Sequence, residues 1–416
     1  MASQRYDALV IGAGAGGLCA AARLAHNGKR TLLVESRDRV GGRASTEDQD
    51  GFKINTGAVA IEYGGVLEET FREVGAPFEI RVPEPATKFR IKRREVALQN
   101  TPLGRLVNGA LKKGAGLLDT EDTKVTVKEW LDGYTHNDTV HAIFRNLCAA
   151  IFAVNSDELP VKAFMTYFLT KGAFRDFGFS PTGTLGLLRN LAAVVERHGG
   201  EVRLGSTLEA LEISGGRVIG ASIDGLGEVK ANAVISNVGP AATVALAGRE
   251  HFGADYLELV DRQLKPTANI VVNIASSEPL LQAPGIVTFG LTQRLCNMAN
   301  LTATCPELAP DGRHLYVAYG VPKPAIGEFD EGAEVKATLD DLRDEFPGFD
   351  EMAEIVSIRV MRGEWPAQRS IAGHDLPRET PLVNLWNVGD AVRTYASGGV
   401  QACAETAKLV VEEVLG

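Results

Sequence analysis

Three glycines near the amino terminus have the spacing of a phosphate-binding loop. Residues 12–17 read GAGAGG, which contains the pattern G-x-G-x-x-G. In such a loop Gly12 permits a tight turn, Gly14 lets a pyrophosphate approach the backbone, and Gly17 lets a helix pack closely against a strand. A helix that begins here also presents free backbone N–H groups and the positive end of its dipole to an anion. The pattern predicts that the loop binds a phosphorylated ligand.

An acidic residue follows at the distance that this chemistry requires. Glu35 lies about twenty residues after the glycines, where a carboxylate can accept hydrogen bonds from both hydroxyls of a ribose. A negative charge at this place also repels a 2′-phosphate. The ligand is therefore expected to be a dinucleotide such as FAD or NAD, and not NADP.

The sequence around these residues predicts the elements that position them. Residues 8–11 form a continuous apolar run, which is typical of a buried parallel strand. Residues 18–27 are rich in Ala and Leu and predict a helix that ends at Gly28. Residues 30–34 predict a second buried strand. Strand, glycine loop, helix, strand and acid occur in the order of a Rossmann-type dinucleotide fold.

The segment after the second strand distinguishes FAD from NAD. Residues 35–43 read ESRDRVGGR, which is the pattern E-x-R-x-R-x-G-G-R. This pattern resembles the flavin-binding superfamily of amine oxidases, phytoene desaturases and protoporphyrinogen oxidases. The resemblance implies that FAD is the cofactor and that Gly42 and Arg43 bind its diphosphate, a role that suits the fixed donors of a guanidinium group. Ser36 and Arg37, in the same loop, are further candidates for cofactor binding.

Two segments in the middle of the chain resemble other cofactor contacts of that superfamily. Residues 52–58 read FKINTGA and resemble the segment that passes the flavin ring, where the small residues Gly57 and Ala58 leave room for it. A strand that begins at residue 201 leads to Leu208, the position that corresponds to a backbone contact with the adenine.

The carboxyl-terminal segment resembles the last FAD-binding element of the superfamily. Residues 385–388 predict a short strand, and Gly389 and Asp390 follow it directly. The resemblance implies that Asp390 binds the ribityl or diphosphate part of FAD. It also implies that N–H groups near Gly399 and Val400, where a helix begins, face the pyrimidine edge of the flavin, because a helix amino terminus stabilises negative charge.

These segments lie far apart in the chain, which predicts two interleaved domains. The expected fold class is α/β: a Rossmann-type FAD-binding domain, similar to that of glutathione reductase, and an α+β substrate-binding domain. We expect the FAD-binding domain to comprise residues 1–78, 185–250 and 365–416. The substrate-binding domain would comprise residues 79–184 and 251–364.

Two features of the predicted substrate-binding domain allow two interpretations each. A basic stretch precedes a helix-like segment at residues 98–118, and it indicates either contact with an anionic membrane surface or a solvated hairpin and a lid helix. Glycines weaken that helix, so we favour the hairpin. A group of aromatic residues between 164 and 179 predicts either the lining of an apolar pocket or, more commonly, a core. The basic residues are Lys88, Arg90, Lys92, Arg93 and Arg94, and the aromatic residues are Phe164, Tyr167, Phe168, Phe174, Phe177 and Phe179.

Two aromatic residues are candidate catalytic residues. Residues 395–400 read YASGGV and resemble the segment that carries one tyrosine of the aromatic cage in amine oxidases, which implies a cation–π role for Tyr395. Trp365 is expected either beside the flavin or at the junction between the domains. The flavin-facing lysine of amine oxidases has no firm counterpart here, although Lys265 precedes a predicted strand.

The sequence leaves several functions open. We favour an FAD-dependent oxidoreductase that removes a hydride from a C–H bond of an apolar, alicyclic or isoprenoid-like substrate and passes electrons to oxygen or another acceptor. The alternatives are a flavin amine oxidase, a non-redox flavin isomerase, and a binding protein like the GDP dissociation inhibitors. The complete dinucleotide pattern argues against the last of these.

Composition indicates the class of protein and the compartment in which this chemistry is expected. The chain has 416 residues and a net charge of −10, which argues against a nucleic-acid binder, and no apolar run approaches the length of a transmembrane helix. Five scattered cysteines predict reduced thiols in a cytoplasmic protein. The seven histidines form no metal-binding pattern, and no Cys or His lies in a recognisable attachment motif, so we expect no metal and non-covalent FAD. The sequence predicts no oligomeric state.

Overall fold

The computed structural model describes residues 4–97, 102–119, 124–170 and 176–416. The strands are β1 Gln4–Ile11, β2 Thr31–Val34, β3 Thr46–Gln49, β4 Phe52–Asn55, β5 Ile61–Glu62, β6 Thr87–Ile91, β7 Arg94–Val96, β8 Phe177–Gly178, β9 Glu201–Arg203, β10 Leu208–Ser214, β11 Arg217–Ile223, β12 Gly227–Ser236, β13 Asn269–Ser276, β14 Ile286–Phe289, β15 Leu295–Asn300, β16 His314–Gly320, β17 Ala353–Met361 and β18 Leu385–Asn387. The helices are α1 Ala15–His26, α2 Val66–Glu73, α3 Pro102–Gly114, α4 Val127–Asp132, α5 Asp138–Phe152, α6 Val161–Thr170, α7 Gly183–Arg197, α8 Pro240–Ala247, α9 Ala254–Gln263, α10 Glu331–Glu345, α11 Phe349–Met352 and α12 Gly399–Leu415.

The first large sheet contains the predicted dinucleotide fold. Its strand order is β10-β11-β12-β1-β2-β9, and β18 pairs with β12. Strands β1, β2, β9, β12 and β18 run parallel, while β10 and β11 form an antiparallel hairpin. The residues of β2 are all buried, as its apolar run predicts.

Helices cover both faces of this sheet. On one face, α1, α7 and α12 bury a continuous apolar cluster that includes Ala8 and Val10 of β1. On the other face, Leu9 and Ile11 pack with residues of β10, β11 and α8. Helix α1 begins at Ala15, three residues before the predicted start, because its first turn is made by the glycine-rich segment itself.

The second large sheet is mostly antiparallel and has the order β17-β13-β16-β15-β14-β6-β7. Its one described parallel pair joins β6 to β14. Helices α10 and α11 pack on one face. The β3–β4 hairpin packs on the opposite face, and helices α3 to α6 bury a further cluster against this sheet.

The strands of the two sheets follow the predicted division of the chain. Those of the first sheet all fall within residues 1–78, 185–250 and 365–416, and those of the second fall within 79–184 and 251–364. Sheet membership is thus consistent with two interleaved domains, and the boundaries remain our proposal.

The basic residues lie on the hairpin formed by β6 and β7. Lys92 and Arg93 form its exposed turn, with left-handed backbone angles. The Arg90 side chain is turned inward and forms an ion pair with Glu345 at 2.9 Å. The described helices include none with the length and apolar character needed to cross a bilayer.

The aromatic residues divide between core and cavity. Phe164 is fully buried, and its ring lies 4.5 Å from that of Phe168. Phe179 is also buried in the core, whereas Tyr167 and Phe177 line a cavity described below. Phe174 lies outside the described residues.

Candidate active site

A cavity of about 530 Å³ lies between the two sheets. On the side of the first sheet, its walls include Gly12, Glu35 and Asn237, which directly follow β1, β2 and β12. The carboxyl ends of parallel strands are the place where α/β folds bind ligands. On the other side, Phe89 and Tyr319 belong to the second sheet.

The glycine loop has the backbone shape that a pyrophosphate needs. Gly14 caps α1 without a side-chain hydrogen bond, and the first turn carries no acidic residue. A Cβ on Gly14 would lie 2.6 Å from Nδ2 of Asn237, and a Cβ on Gly17 would lie 2.0 Å from the carbonyl oxygen of Gly12. The loop therefore leaves the helix amino terminus open to an anion. Gly17 acts in helix packing, as predicted, and is not a wall residue.

The Glu35 carboxylate is fixed at the end of β2. One oxygen accepts a hydrogen bond from the backbone N–H of Ala13 at 2.8 Å. The other accepts hydrogen bonds from the backbone N–H of Arg37 at 3.0 Å and from Ser36 Oγ at 3.3 Å. All three loop residues from 35 to 37 line the cavity. The arrangement suits a carboxylate that accepts hydrogen bonds from a ribose.

Arg43 and Asp390 form a buried ion pair in the cavity wall. The Arg43 guanidinium donates two hydrogen bonds to the Asp390 carboxylate, at 2.8 and 2.6 Å. It also donates to the carbonyl oxygens of Pro366 and Ala367, each at 3.2 Å. Burial alone would raise the pKa of Asp390, but the charge and hydrogen bonds of Arg43 outweigh burial and hold this pKa well below its usual range. Much of the Arg43 charge is therefore balanced by the protein.

The remaining predicted glycines shape the backbone around this ion pair. Gly42 lines the cavity, and a Cβ there would lie 3.1 Å from Cα of Gly14. Gly57 lies behind the wall, since its Cβ would lie 2.0 Å from the carbonyl oxygen of Arg43, whereas the adjacent Ala58 lines the cavity. Gly389, whose φ is +113°, makes the turn that leads to Asp390 and is not a wall residue itself.

The amino terminus of α12 opens into the same cavity. Gly399 and Val400 are wall residues, as predicted. Gly398 caps the helix without a side-chain hydrogen bond, and its first turn holds no acidic residue. The free N–H groups of this turn can therefore stabilise negative charge on a ligand.

Trp365 lies beside the loop that follows β2. The Arg37 guanidinium stacks over the Trp365 ring at 3.8 Å from its centre, and both residues line the cavity. Because Arg37 is two residues from Glu35, this contact associates Trp365 with the expected ribose end of the site. The catalytic role expected of Trp365 stays a prediction, and this contact favours a role in cofactor binding.

Besides these glycines, the predicted residues Leu208 and Tyr395 are not wall residues of the cavity. Leu208 is buried in the core of the first sheet. The backbone contact with the loop after β2 is made two residues earlier, where the N–H of Ser206 donates to the carbonyl oxygen of Glu35 at 3.0 Å. The Tyr395 ring packs instead against the cluster formed by α3 to α6, with Lys162 Nζ 5.8 Å from its centre. Burial raises the pKa of Tyr395 to about 12, and its hydroxyl has no hydrogen-bond partner among the described residues.

The described wall residues from the second sheet, from α5 and from α6 carry no charged side chain, whereas Glu364, at the end of the predicted substrate-binding domain, adds one carboxylate to the wall. Tyr319 donates its hydroxyl proton to the carbonyl oxygen of Gly57 at 2.6 Å, which joins the second sheet to the segment expected beside the flavin. The described wall contains no lysine, and Lys265 is not part of it. Asn269, the first residue of β13, is the wall residue that follows Lys265 in the chain. The wall residues at 79–184 and 251–364 are Thr87, Phe89, Leu147, Ala149, Ala150, Ile151, Ala153, Tyr167, Phe177, Asn269, Ile286, Thr288, Cys296, Asn297, Ala299, Tyr319, Val321, Met361 and Glu364.

Sequence comparison assigns the chain to a family. A sequence model described as flavin containing amine oxidoreductase matches residues 15–415. The chain belongs to the flavin-containing amine oxidoreductase family. It is accordingly a flavin-dependent oxidoreductase that acts on a small molecule. Among the described residues, no three His, Cys, Asp or Glu side chains are grouped so that they could hold a metal ion.

Similarity extends over nearly the whole chain in several proteins. Phytoene dehydrogenase of Streptomyces griseus is 25% identical over 490 residues, which cover 98% of this chain and 95% of that protein. An uncharacterised protein of Methanocaldococcus jannaschii is 24% identical over 405 residues, which cover 94% of each chain. An oxidoreductase from Methanosarcina mazei, whose crystal structure is known, is 26% identical in sequence and has a TM-score of 0.87. The match covers 98% of this chain and 100% of that chain.

Several wall residues of the structure are absent from the predicted site, and Asn237, Tyr319 and Arg369 are three of them. Asn237 directly follows a parallel strand of the first sheet, so the rule that ligands bind at strand carboxyl ends could have found it. Tyr319 and Arg369 carry no such local signal, because their positions depend on how the second sheet and the segment before β18 pack against the first sheet.

Proposed function

We propose that the protein is an FAD-dependent oxidoreductase that removes a hydride from a C–H bond of a neutral, largely apolar substrate of alicyclic or isoprenoid type. The observation that carries this proposal is the lining from the second sheet, α5 and α6, which has no charged side chain among its described residues. An ammonium group placed there would lose its hydration without gaining a carboxylate partner, which is costly in an apolar site. A neutral hydrocarbon gains free energy from the same burial.

The residues of the first sheet fit FAD as the cofactor. Glu35 would hold the adenosine ribose, the amino terminus of α1 would face the diphosphate, and the amino terminus of α12 would face the pyrimidine edge of the flavin. Bound FAD supplies an acceptor for a hydride, while the chain binds the substrate, orients it and excludes water. We retain the predicted site residues in these roles, except where corrected above.

The cavity cysteines support non-covalent binding of FAD. Cys296 and Cys403 are wall residues. Burial raises the pKa of each thiol to about 12, and Asp390 contributes at Cys403. Because the thiolate is the nucleophilic form, neither side chain is poised to attack a flavin. Acid precipitation of the protein is expected to release all of its flavin into solution.

A flavin amine oxidase is the second candidate, and one wall residue favours it. Glu62, at the end of β5, contributes a carboxylate to the cavity on the side of α12. A carboxylate can pair with a substrate ammonium group. This candidate requires the reacting amine to lie close to Glu62 and away from the apolar wall.

Anaerobic bleaching of the flavin distinguishes these candidates. The reconstituted protein is mixed without oxygen with a panel of isoprenoid and alicyclic compounds, and with primary and secondary amines of matched size. We expect the flavin to be reduced by neutral apolar compounds and not by amines. Bleaching by amines alone, and its loss in Glu62→Gln, would establish the amine oxidase instead. Substrate rearrangement without net flavin reduction would indicate an isomerase.

The setting of the reaction is also part of the proposal. All five cysteines are free, and four of them are buried, which is the usual state in a reducing compartment. We therefore propose a cytoplasmic enzyme whose reduced flavin passes electrons to oxygen or to another acceptor. Measuring the rate of reoxidation in air against added quinone identifies the acceptor.

A further inference from the structure

Arg369 presents an unpaired cation to the cavity. Its side chain lines the wall, and it makes no side-chain hydrogen bond or ion pair with any residue that the structure describes. Its Nε atom is buried without a partner. Burying a guanidinium without an acceptor is costly, so an arrangement of this kind points to an anion that binds there.

The Arg369 side chain lies at the diphosphate end of the cavity. A Cβ on Gly239 would lie 2.7 Å from its Cδ atom, so the side chain lies across the segment that follows β12. That segment also meets the glycine loop, because a Cβ on Gly12 would lie 3.2 Å from Val238. The guanidinium is therefore held close to the strand ends around the open amino terminus of α1.

Neighbouring groups balance the charge of Arg369 less than they balance the charge of Arg43. Asp390 is already bound by the Arg43 guanidinium and by the backbone N–H of Arg369 at 3.0 Å. Burial, followed by repulsion from Arg43, lowers the pKa of Arg369 to about 10, so the charge is present at neutral pH but is poorly stabilised by the protein. Arg37, the other arginine of the described wall, is stacked on Trp365.

We infer that Arg369 supplies a second guanidinium, beside Arg43, to the diphosphate of the flavin dinucleotide. The pair of Arg43 and Asp390 also positions the Arg369 backbone. This inference rests on the proposed function, since it takes FAD to be the ligand. It adds a residue to the sequence expectation, which assigned the diphosphate to Arg43.

Titration of the cofactor-free protein with FAD tests the inference. Dissociation constants are measured by quenching of flavin fluorescence for wild type, Arg369→Gln, Arg369→Lys and the control Arg362→Gln, whose guanidinium pairs with Glu328 at 2.9 Å outside the cavity. We expect Arg369→Gln to weaken FAD binding by roughly 10- to 150-fold, the loss typical of one charge-assisted hydrogen bond. Arg369→Lys should recover part of this loss, and the control should bind like wild type.

Ionic strength provides a second measurement. Increasing salt should weaken FAD binding to wild type more steeply than to Arg369→Gln, since one ionic contact has been removed. Equal FAD affinity in wild type and Arg369→Gln would overturn the inference while leaving the proposed function intact. Loss of affinity with an unchanged salt dependence and no recovery in Arg369→Lys would also overturn it, because it would indicate a purely structural role. Failure of wild type to bind FAD would overturn both proposals.

Discussion

The Glu35 carboxylate holds three protein groups in place before any ligand arrives. Its oxygens accept hydrogen bonds from the backbone N–H groups of Ala13 and Arg37 and from the Ser36 hydroxyl. These contacts fix the glycine loop relative to the loop after β2. A ribose therefore meets an acceptor that is already oriented, which lowers the entropic cost of binding.

Replacement of Glu35 should weaken FAD binding without unfolding the protein. Glu35→Ala removes the ribose acceptor and leaves two backbone N–H groups unpaired, so we expect a loss of affinity of roughly 10- to 100-fold. Fluorescence titration with FAD measures it. Asp38→Ala is the matched control, because Asp38 is an exposed acid in the same loop. An affinity equal to that of wild type would remove Glu35 from the ribose site.

The thiols of the folded protein should react slowly. Burial raises the pKa of Cys19, Cys296 and Cys403 to about 12, from an ordinary value of 9.0. The thiolate fraction at pH 8 therefore falls about a thousandfold. Ellman's reagent should modify none of these cysteines within minutes in the native state, and all five cysteines of the chain in guanidinium. Rapid labelling of Cys403, detected by peptide mapping, would contradict the expected burial.

Tyr395 is expected to be dispensable for flavin chemistry. Its hydroxyl is buried without a partner among the described residues, so removing this group relieves an unfavourable state. Tyr395→Phe should unfold at the same temperature as wild type or higher, and should bleach with substrate at a rate within about twofold, as for a site without a lost contact. A large decrease in the bleaching rate with FAD retained would restore the catalytic role predicted from the sequence.

At the scale of elements, the contact between α1 and β1 depends on the absence of a side chain. A Cβ on Gly17 would lie 2.0 Å from the backbone carbonyl oxygen of Gly12, and neither backbone can move without displacing the loop. The same helix packs against α12 and α7. The position of α1 therefore determines the positions of the glycine loop and of the core that supports the amino terminus of α12.

Two glycine-to-alanine changes in helices should have opposite effects. Gly17→Ala should destabilise the protein by about 3 kcal/mol or more, because the new methyl group overlaps backbone atoms. Gly109→Ala in α3 should stabilise it by up to about 1 kcal/mol, since alanine favours helix and the space around Gly109 is open. Denaturant unfolding of both variants measures the difference. Comparable stabilities would show that α1 can shift to accommodate the methyl group.

The extent of successful prediction differs between the two sheets for a physical reason. Local patterns define β1, α1 and β2, and the comparisons confirm the flavin family that residues 35–43 indicate. The predicted cavity contacts of Gly14, Glu35 and Val400 follow from strand and helix ends, which sequence can locate. Tyr319 and Arg369 could not be found in this way, since their roles arise only when distant segments pack together.

At the scale of the whole molecule, one asparagine links the second sheet to the β3–β4 hairpin. Asn273 of β13 is fully buried, its Oδ1 accepts the N–H of Asn55 at 2.9 Å, and its Nδ2 donates to the carbonyl oxygen of Asn55 at 2.8 Å. The side chain thereby completes the backbone hydrogen bonds at the end of β4. Two residues after Asn55, the carbonyl oxygen of Gly57 accepts a hydrogen bond from the Tyr319 hydroxyl. These contacts hold the apolar wall against the cofactor side.

Loss of this link should lower stability and disturb the cavity. Asn273→Ala leaves the buried N–H and carbonyl groups of Asn55 without partners, and we expect a cost of about 2–4 kcal/mol for the two. Thermal unfolding measures the cost, and FAD titration tests whether the cofactor site survives. Asn297→Ala is the control, because its amide makes a single weaker bond, at 3.3 Å, to the carbonyl oxygen of Ala150. Equal unfolding temperatures would show that other contacts hold the β3–β4 hairpin against β13.

The order of segments in the cofactor site has a consequence for biosynthesis. The first sheet receives β18 and α12 from the final residues of the chain, although β1 and the glycine loop are made first. A ribosome that has completed three quarters of the chain has therefore produced a nucleotide loop without Asp390, Arg369 or the second helix terminus. The cofactor can be retained firmly only after synthesis of the last segment. We therefore expect chains that terminate early to lack part of the proposed cofactor site.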